Sequence, residues 1–168
     1  NKAREMAHLL GVAVKRRALD LDEMQEMDLK KIVGHKAKQA YSALGAPALV
    51  EDVGFYVKEW NGFPGPFIKW FHQTIGYDAF PKMLRKDRRA DWVCMLGLYD
   101  GKKLHLFEGV TKGTIAKSPK GMDGWGFDTI FIPDGSRKTY AELGGSVKHK
   151  TSARAKAVHK LKRFVKRK

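Results

Sequence analysis

The chain has 168 residues, of which 43% are hydrophobic and 11% aromatic, and it carries a formal net charge of +15. This length and composition fit one folded domain and exclude an intrinsically disordered chain. No run of about 18 apolar residues occurs, so the sequence predicts no membrane span. The single cysteine, Cys94, lies in an apolar run and indicates a reducing compartment, for which the cytoplasm is expected.

The spacing of apolar residues predicts helices and strands in alternation. Helices are expected near residues 2–10 and 29–44, with the strand VAVKRR at 12–17 between them. The apolar run at 47–50 predicts a buried strand with carboxylates at its exit. Later elements are a turn at 62–66, a short helix at 67–76, strands near 91–99, 103–108, 113–116 and 129–132, and a basic helix over 151–165. This alternation indicates an α/β or α+β domain with a mixed sheet flanked by helices, of which we expect the α/β class.

The positive charge is concentrated at the end of the chain. Between Lys148 and Lys168 there are ten lysines or arginines and no acidic residue. Such a segment can contact the phosphates of a nucleic acid without reading its sequence, so weak non-specific nucleic-acid binding is a possible property. The commoner alternative for a basic run is a solvated helix face.

Carboxylates occur in two places that could converge on a metal ion. Glu51 and Asp52 follow the apolar run at 47–50, and an acidic patch spans 20–28. Mg²⁺ prefers oxygen ligands and usually takes one or two protein carboxylates together with substrate phosphates. The alternative is a solvated acidic face. No zinc-ligand spacing, phosphate-binding loop or nucleophile elbow is present in the sequence, so those enzyme classes are set aside.

Glycines alternate with aromatic residues over 121–135, where Trp125 and Phe127 could stack on a flat ligand. An aromatic turn that covers the core would have the same pattern. Further along the chain, Lys148, Ser152 and Arg154 lie at the start of the basic helix, where backbone N–H groups also favour anions.

Four segments in this order resemble the inosine triphosphate pyrophosphatase family. They are LVEDVGFYV at 49–57, GFPGPFIKWF at 62–71, GWGFDTIFIPDG with TYAEL at 124–143, and the spacing of Lys148, Ser152 and Arg154. The resemblance covers nearly the whole chain. It implies an elongated α/β fold, a homodimer, dependence on Mg²⁺, and hydrolysis of ITP, dITP and XTP to the monophosphate and pyrophosphate.

The resemblance also implies roles for individual residues. Glu23 and Asp52 would hold Mg²⁺, and Asp52, with Glu51, would orient or deprotonate the attacking water. The triphosphate would be bound by Asn1 and Arg4, which resemble the end of the family's opening phosphate motif, together with Lys36. The expected base pocket consists of Trp125, Phe127, Asp128, Lys148, Ser152 and Arg154. In it Trp125 and Phe127 would stack on the purine, and Lys148 and Arg154 would lie near its 6-position.

The sequence departs from the family pattern at three points. The family's threonine and first strand would precede Asn1, so residues 1–168 are expected to form one domain without that strand. Ala153 stands where the family has a histidine, and Thr129 where it has a proline. Ala153 and the absent first strand leave a catalytically weakened relative as an alternative to an active enzyme, and the basic tail leaves a nucleic-acid-binding module as another.

Overall fold

Five strands form one antiparallel sheet at the centre of the molecule. The computed structural model describes residues 2–13, 15–124 and 126–166. The strands are β1 (Ala48–Val57), β2 (Pro64–Gly65), β3 (Arg89–Tyr99), β4 (Leu104–Ile115) and β5 (Phe131–Pro133). Their order across the sheet is β2-β1-β3-β4-β5, and every pairing is antiparallel. The predicted α/β class is confirmed, but the described strands form an antiparallel sheet and not a mixed one.

Helices cover both faces of this sheet. They are α1 (Lys2–Leu10), α2 (Leu29–Leu44), α3 (Ile68–Ile75), α4 (Phe80–Met83), α5 (Tyr140–Leu143), α6 (Gly145–Thr151) and α7 (Ala153–Val165). The two predicted N-terminal helices are confirmed. The Asp28 carboxylate caps α2 by accepting from the Lys30 N–H at 2.9 Å, and Gly45, with φ of 64°, ends the helix. None of the helices among the described residues is long and apolar enough to cross a lipid bilayer.

Several predicted strand boundaries are wrong. The described part of 12–17 is not a strand, and its basic residues at 15–17 are exposed, so no face of it is buried against the sheet. Strand β1 continues to Val57, because alternate residues beyond the carboxylates remain apolar, and Glu51 and Asp52 therefore lie inside the strand. The strands predicted at 103–108 and 113–116 are one continuous strand, β4. The basic helix is divided at Ser152 into α6 and α7.

Close packing fixes the helices on the two faces. A Cβ atom added to Gly97 of β3 would lie 2.5 Å from the Val33 side chain of α2. On the other face, a Cβ on Gly109 of β4 would lie 1.9 Å from the Ala153 carbonyl oxygen of α7. Successive residues of a strand point to opposite faces, so Asp52 faces α2 and Glu51 faces α7.

An aromatic core lies beyond the end of the sheet that carries β2 and β5. Its largest members are Phe55, Phe71, Phe80, Phe127, Phe131 and Tyr140. A second core, between α7, α1 and the sheet, contains Met6, Cys94, Leu96, Phe107, Val158 and Leu161. Cys94 is buried there, as its apolar surroundings in the sequence predict.

Candidate active site

Asp52 lies in the middle of β1 and contacts Lys36 of α2. The Lys36 Nζ and Asp52 Oδ2 atoms are 2.6 Å apart, and the two side chains are 17% and 21% exposed. The Asp52 Oδ1 atom also accepts a hydrogen bond from the Val53 N–H at 2.9 Å. This carboxylate is therefore held in one orientation while part of it faces solvent.

Glu23 is brought to the same place by the irregular segment between α1 and α2. Its carboxylate lies 3.2 Å from the Nζ atom of Lys69, which projects from α3. Glu23, Lys36, Asp52 and Lys69 line one cavity of about 280 Å³. The structure thus brings together the two predicted metal ligands and the predicted phosphate-binding lysine.

The donors in this cavity fit a magnesium ion. No group of three or more histidine, cysteine or acidic side chains that could enclose a metal occurs in the described part of the chain. Two carboxylates in an open cavity are nevertheless what Mg²⁺ needs, because it keeps several waters and completes its shell with substrate phosphates. The two lysines could bind further phosphate oxygens by charge-assisted hydrogen bonds.

Lys69 is absent from the residues predicted on sequence. Its signal was available, since it is a single charged residue within the apolar helix FIKWF that directly follows the GFPGP turn. The turn itself carries no charged group. Lys69 is therefore the only charged side chain that this motif could offer to an anionic substrate.

Glu51 is separated from Asp52 by the sheet and belongs to a buried ion network. Its two carboxylate oxygens accept from the Nε and Nη2 atoms of Arg154 at 2.7 and 2.9 Å. The Nη1 atom of Arg154 donates to Glu5 of α1, and the arginine side chain is 7% exposed. The prediction that Glu51 acts on the same water as Asp52 is wrong for this structure, because the two side chains leave the strand on opposite faces.

The same ion network raises the pKa of the Arg154 guanidinium. Burial alone lowers the pKa of its guanidinium, but the hydrogen bonds and charge of Glu51, together with the charge of Glu5, more than offset burial and raise the pKa. Glu5 is missing from the sequence-based prediction. In the sequence, Glu5 stands beside Met6 in a short helix, and this position does not distinguish a buried, paired glutamate from a solvated one.

The predicted base-pocket residues are divided between core and cavity. Phe127 is 7% exposed, and its ring stacks on Phe55 at a centroid distance of 4.4 Å and contacts Tyr77 edge-on. The prediction that Phe127 stacks on a purine is therefore contradicted by its place in the aromatic core. Ser152 caps α7, since its Oγ atom accepts from the Ala155 N–H at 3.2 Å. Asn1 and Trp125 lie outside the described residues.

Lys148 lies at the wall of a second cavity. Its Nζ atom is 2.6 Å from Asp128, which is fully buried, so Asp128 positions the lysine and does not itself face a ligand. The cavity has a volume of about 360 Å³. It is formed by Arg4, Glu5, His8, Asp123, Gly124, Tyr140, Gly144, Gly145, Lys148 and His149. The predicted residues Arg4 and Lys148 are thus brought together.

Comparisons with known proteins show the family to which the chain belongs. The Ham1 family model matches residues 1–164. The inosine triphosphate pyrophosphatase of Scheffersomyces stipitis is 42% identical, over 89% of this chain and 78% of its own length. The dITP/XTP pyrophosphatase of Methanopyrus kandleri is 36% identical, over 99% of this chain and 90% of its own.

Solved structures show the same fold. A HAM1 protein from Coxiella burnetii has a TM-score of 0.84 and 26% identity, and the match covers 99% of this chain and 94% of that one. The Ham1 protein of Staphylococcus aureus has a TM-score of 0.74 over 88% of this chain and 81% of its own. The resemblance seen in the sequence is confirmed: the chain is a member of the Ham1 family.

Proposed function

We propose that the protein hydrolyses ITP, dITP and XTP to the nucleoside monophosphate and pyrophosphate, with Mg²⁺ as cofactor. The observation that carries this proposal is the cavity in which Glu23, Asp52, Lys36 and Lys69 face one another. In a magnesium–triphosphate complex, the two carboxylates could bind the positive metal ion and the two lysines could bind the negative phosphate oxygens. The names of the relatives support the choice of deaminated purines.

In the proposed reaction a water attacks the α-phosphorus and the bond to the β-phosphate oxygen breaks. Glu23 and Asp52 would hold Mg²⁺, which supplies charge neutralisation and a water of lowered pKa when bound. Asp52 would orient the attacking water and accept its proton. Lys36 and Lys69 would leave their carboxylate partners and neutralise the charge that develops on the pyrophosphate.

The base is proposed to enter the cavity beside Lys148. Arg4 would contact the phosphates, and Arg154 would hold α1 and β1 together behind the base instead of touching it. Asn1 and Trp125 keep the roles that the resemblance implies, a phosphate contact and a stacking face. Lys148, held by Asp128, would donate to an acceptor on the purine.

Pyrophosphate release from ITP and XTP, with and without MgCl₂, tests this function. We expect turnover only with the metal ion, and slower turnover of ATP. Absence of pyrophosphate with every deaminated substrate would identify the protein as an inactive relative. Release of orthophosphate in place of pyrophosphate would contradict cleavage between the α- and β-phosphates.

We also propose a homodimer in a reducing, cytoplasmic compartment. The exposed fractions of Phe63 and Trp70, 46% and 54%, support a protein contact near the GFPGP turn. The buried thiol of Cys94 is compatible with a reducing compartment. Sedimentation velocity of the protein and of a Phe63→Ser, Trp70→Ser variant measures the oligomeric state, and a monomer in both would contradict the dimer.

A second candidate function is weak binding of nucleic acid. The exposed residues of α7 include Lys156, His159, Lys160 and Arg163, which recur at helical spacing, and α7 contains no acidic residue. This helix face would contact phosphates without affecting the catalytic cavity.

A further inference from the structure

We propose that His149, positioned by His8, distinguishes 6-oxopurines from adenine in this protein. The inference rests on the proposed function, because it assigns the purine to the cavity between α1, Gly124 and α6. Its volume of about 360 Å³ falls within the usual range for ligand pockets. The two histidines come from helices that are distant in sequence and meet at this wall.

The imidazole rings are placed to contact a ligand. The His8 and His149 ring centroids are 4.5 Å apart, with 42° between the ring planes. Neither ring forms a hydrogen bond to any protein group in the described part of the chain. His149 is partly buried and His8 is exposed, so the pair forms a wall of the cavity and not part of the core.

The other polar groups of the cavity are mostly committed elsewhere. Glu5 pairs with Arg154, and Lys148 pairs with Asp128. Of the remaining lining groups, Arg4 and Asp123 carry charge, and Tyr140 bonds Thr151 through its hydroxyl at 3.1 Å. The two imidazoles, which bond no described protein group, therefore add hydrogen-bonding groups to this cavity beside Lys148, Arg4 and Asp123.

The chemistry of the base explains the expected discrimination. A 6-oxopurine presents two adjacent acceptors, N7 and O6, whereas adenine presents an acceptor and an amino donor. Lys148 can only donate, and His149 follows it in the same helix and can donate through a ring N–H. Two neighbouring donors match the 6-oxopurine, but against adenine one of them would face the amino group.

His8 lies against His149 through the tilted ring contact and acts as its positioning residue.

Steady-state kcat/KM for ITP and ATP tests the inference in His149→Ala, His149→Gln and His8→Ala. We expect the ITP-to-ATP ratio to fall about tenfold in His149→Ala, the effect of one lost hydrogen bond. His149→Gln should recover part of the ratio, because its amide donates. For His8→Ala we expect a smaller fall that comes from KM for ITP and leaves kcat unchanged. The control is Ser146→Ala, at an exposed position of the same helix as His149 that does not line the cavity, which should change neither value.

Equilibrium binding of ITP and ATP to the same variants separates this inference from the proposed function. If the unsubstituted protein binds ITP but does not hydrolyse it, the proposed function is wrong, and the ratio of dissociation constants still tests the histidines. An unchanged ITP-to-ATP ratio in His149→Ala, in kinetics or in binding, would overturn the inference. Thermal unfolding of each variant verifies that the fold is retained.

Discussion

Around the two cavities, partly or fully buried charged side chains form groups of opposite sign. The groups are Lys36 with Asp52, Lys148 with Asp128, and Arg154 with Glu5 and Glu51. A buried charge without a partner is costly, so each group is expected to respond as a unit when one member is removed. The groups differ in exposure, and this difference separates the residues available to a substrate from those that maintain the fold.

In the partly exposed pair of Lys36 and Asp52, the substitution Asp52→Asn should nearly abolish pyrophosphate release and leave the fold intact. The amide keeps the shape of the side chain but loses the charge needed to bind Mg²⁺ and to accept a proton. Release of pyrophosphate from ITP is the measurement. Asp78→Asn, at an exposed position away from the cavity, is the matched control. More than about a tenth of the original activity in Asp52→Asn would contradict the role given to it.

At the buried network, Arg154→Met should destabilise the protein by about 3–5 kcal/mol, because it leaves two buried carboxylates without their cation. Urea unfolding followed by circular dichroism gives the free energy. Adding Glu5→Gln and Glu51→Gln to Arg154→Met should recover part of the loss, since the uncompensated charges are then removed. A loss below about 1 kcal/mol, as for an exposed ion pair, would be inconsistent with the network.

At the scale of elements, α1 and α2 were predictable because their ends carry local signals. Gly45 ends α2 at the predicted residue, through its positive φ and the hydrogen bond from its N–H to the Tyr41 carbonyl at 2.8 Å. The end of β1 has no such signal. Two adjacent carboxylates in a sequence suggest that a strand has ended. Both lie inside β1 because each has a cationic partner on its own face of the sheet, Lys36 for Asp52 and Arg154 for Glu51.

The candidate site was predictable to the extent that its residues lie in motifs. Glu23, Lys36 and Asp52 meet in one cavity as expected. The contact between Glu5 and Arg154 joins residues 149 positions apart, and no local pattern indicates it. Phe127 is an aromatic residue in a glycine-rich segment, as a base-stacking residue would be. The surrounding aromatic side chains bury it, and this burial depends on contacts between distant segments that no local pattern predicts.

The packing of α7 on β4 gives a prediction at this scale. Gly109→Ala should strongly destabilise the protein, because the added Cβ would lie 1.9 Å from the Ala153 carbonyl oxygen and 2.6 Å from the Ala157 nitrogen. Backbone atoms cannot move aside as a flexible side chain could, so α7 must shift from the sheet.

Gly145→Ala is the matched control for this substitution. The nearest atom to a Cβ at Gly145 is His149 Cε1 at 3.8 Å, an ordinary contact. Thermal unfolding should show a large loss of Tm for Gly109→Ala and little change for the control. Equal Tm values for the two variants would contradict the close approach of α7 to β4.

At the scale of the whole molecule, the net charge of +15 is distributed unevenly. One side of α7, with Ala157, Val158 and Leu161, is buried against the sheet. The opposite side exposes Lys156, Lys160 and Arg163, and residues 166–168 add three more positive charges. Because Asp52 lies on the face of β1 opposite α7, contacts to this cationic helix face and the proposed catalysis should be separable.

Removal of the residues after Phe164 should therefore weaken nucleic-acid binding and spare pyrophosphatase activity. Each phosphate contact releases counterions, and a single strand loses about 0.7 units of slope per contact, so the plot of log K against log salt should lose up to about two units of slope with the three charges. Fluorescence anisotropy of a labelled single-stranded DNA over a salt series measures this slope. The control, Lys82→Gln, Lys86→Gln, Lys117→Gln, removes the same charge from exposed positions outside α7 and should leave the slope nearly unchanged. An equal fall in the control would mean that binding depends on net charge alone, and loss of ITP hydrolysis together with binding would show that the two surfaces are not independent.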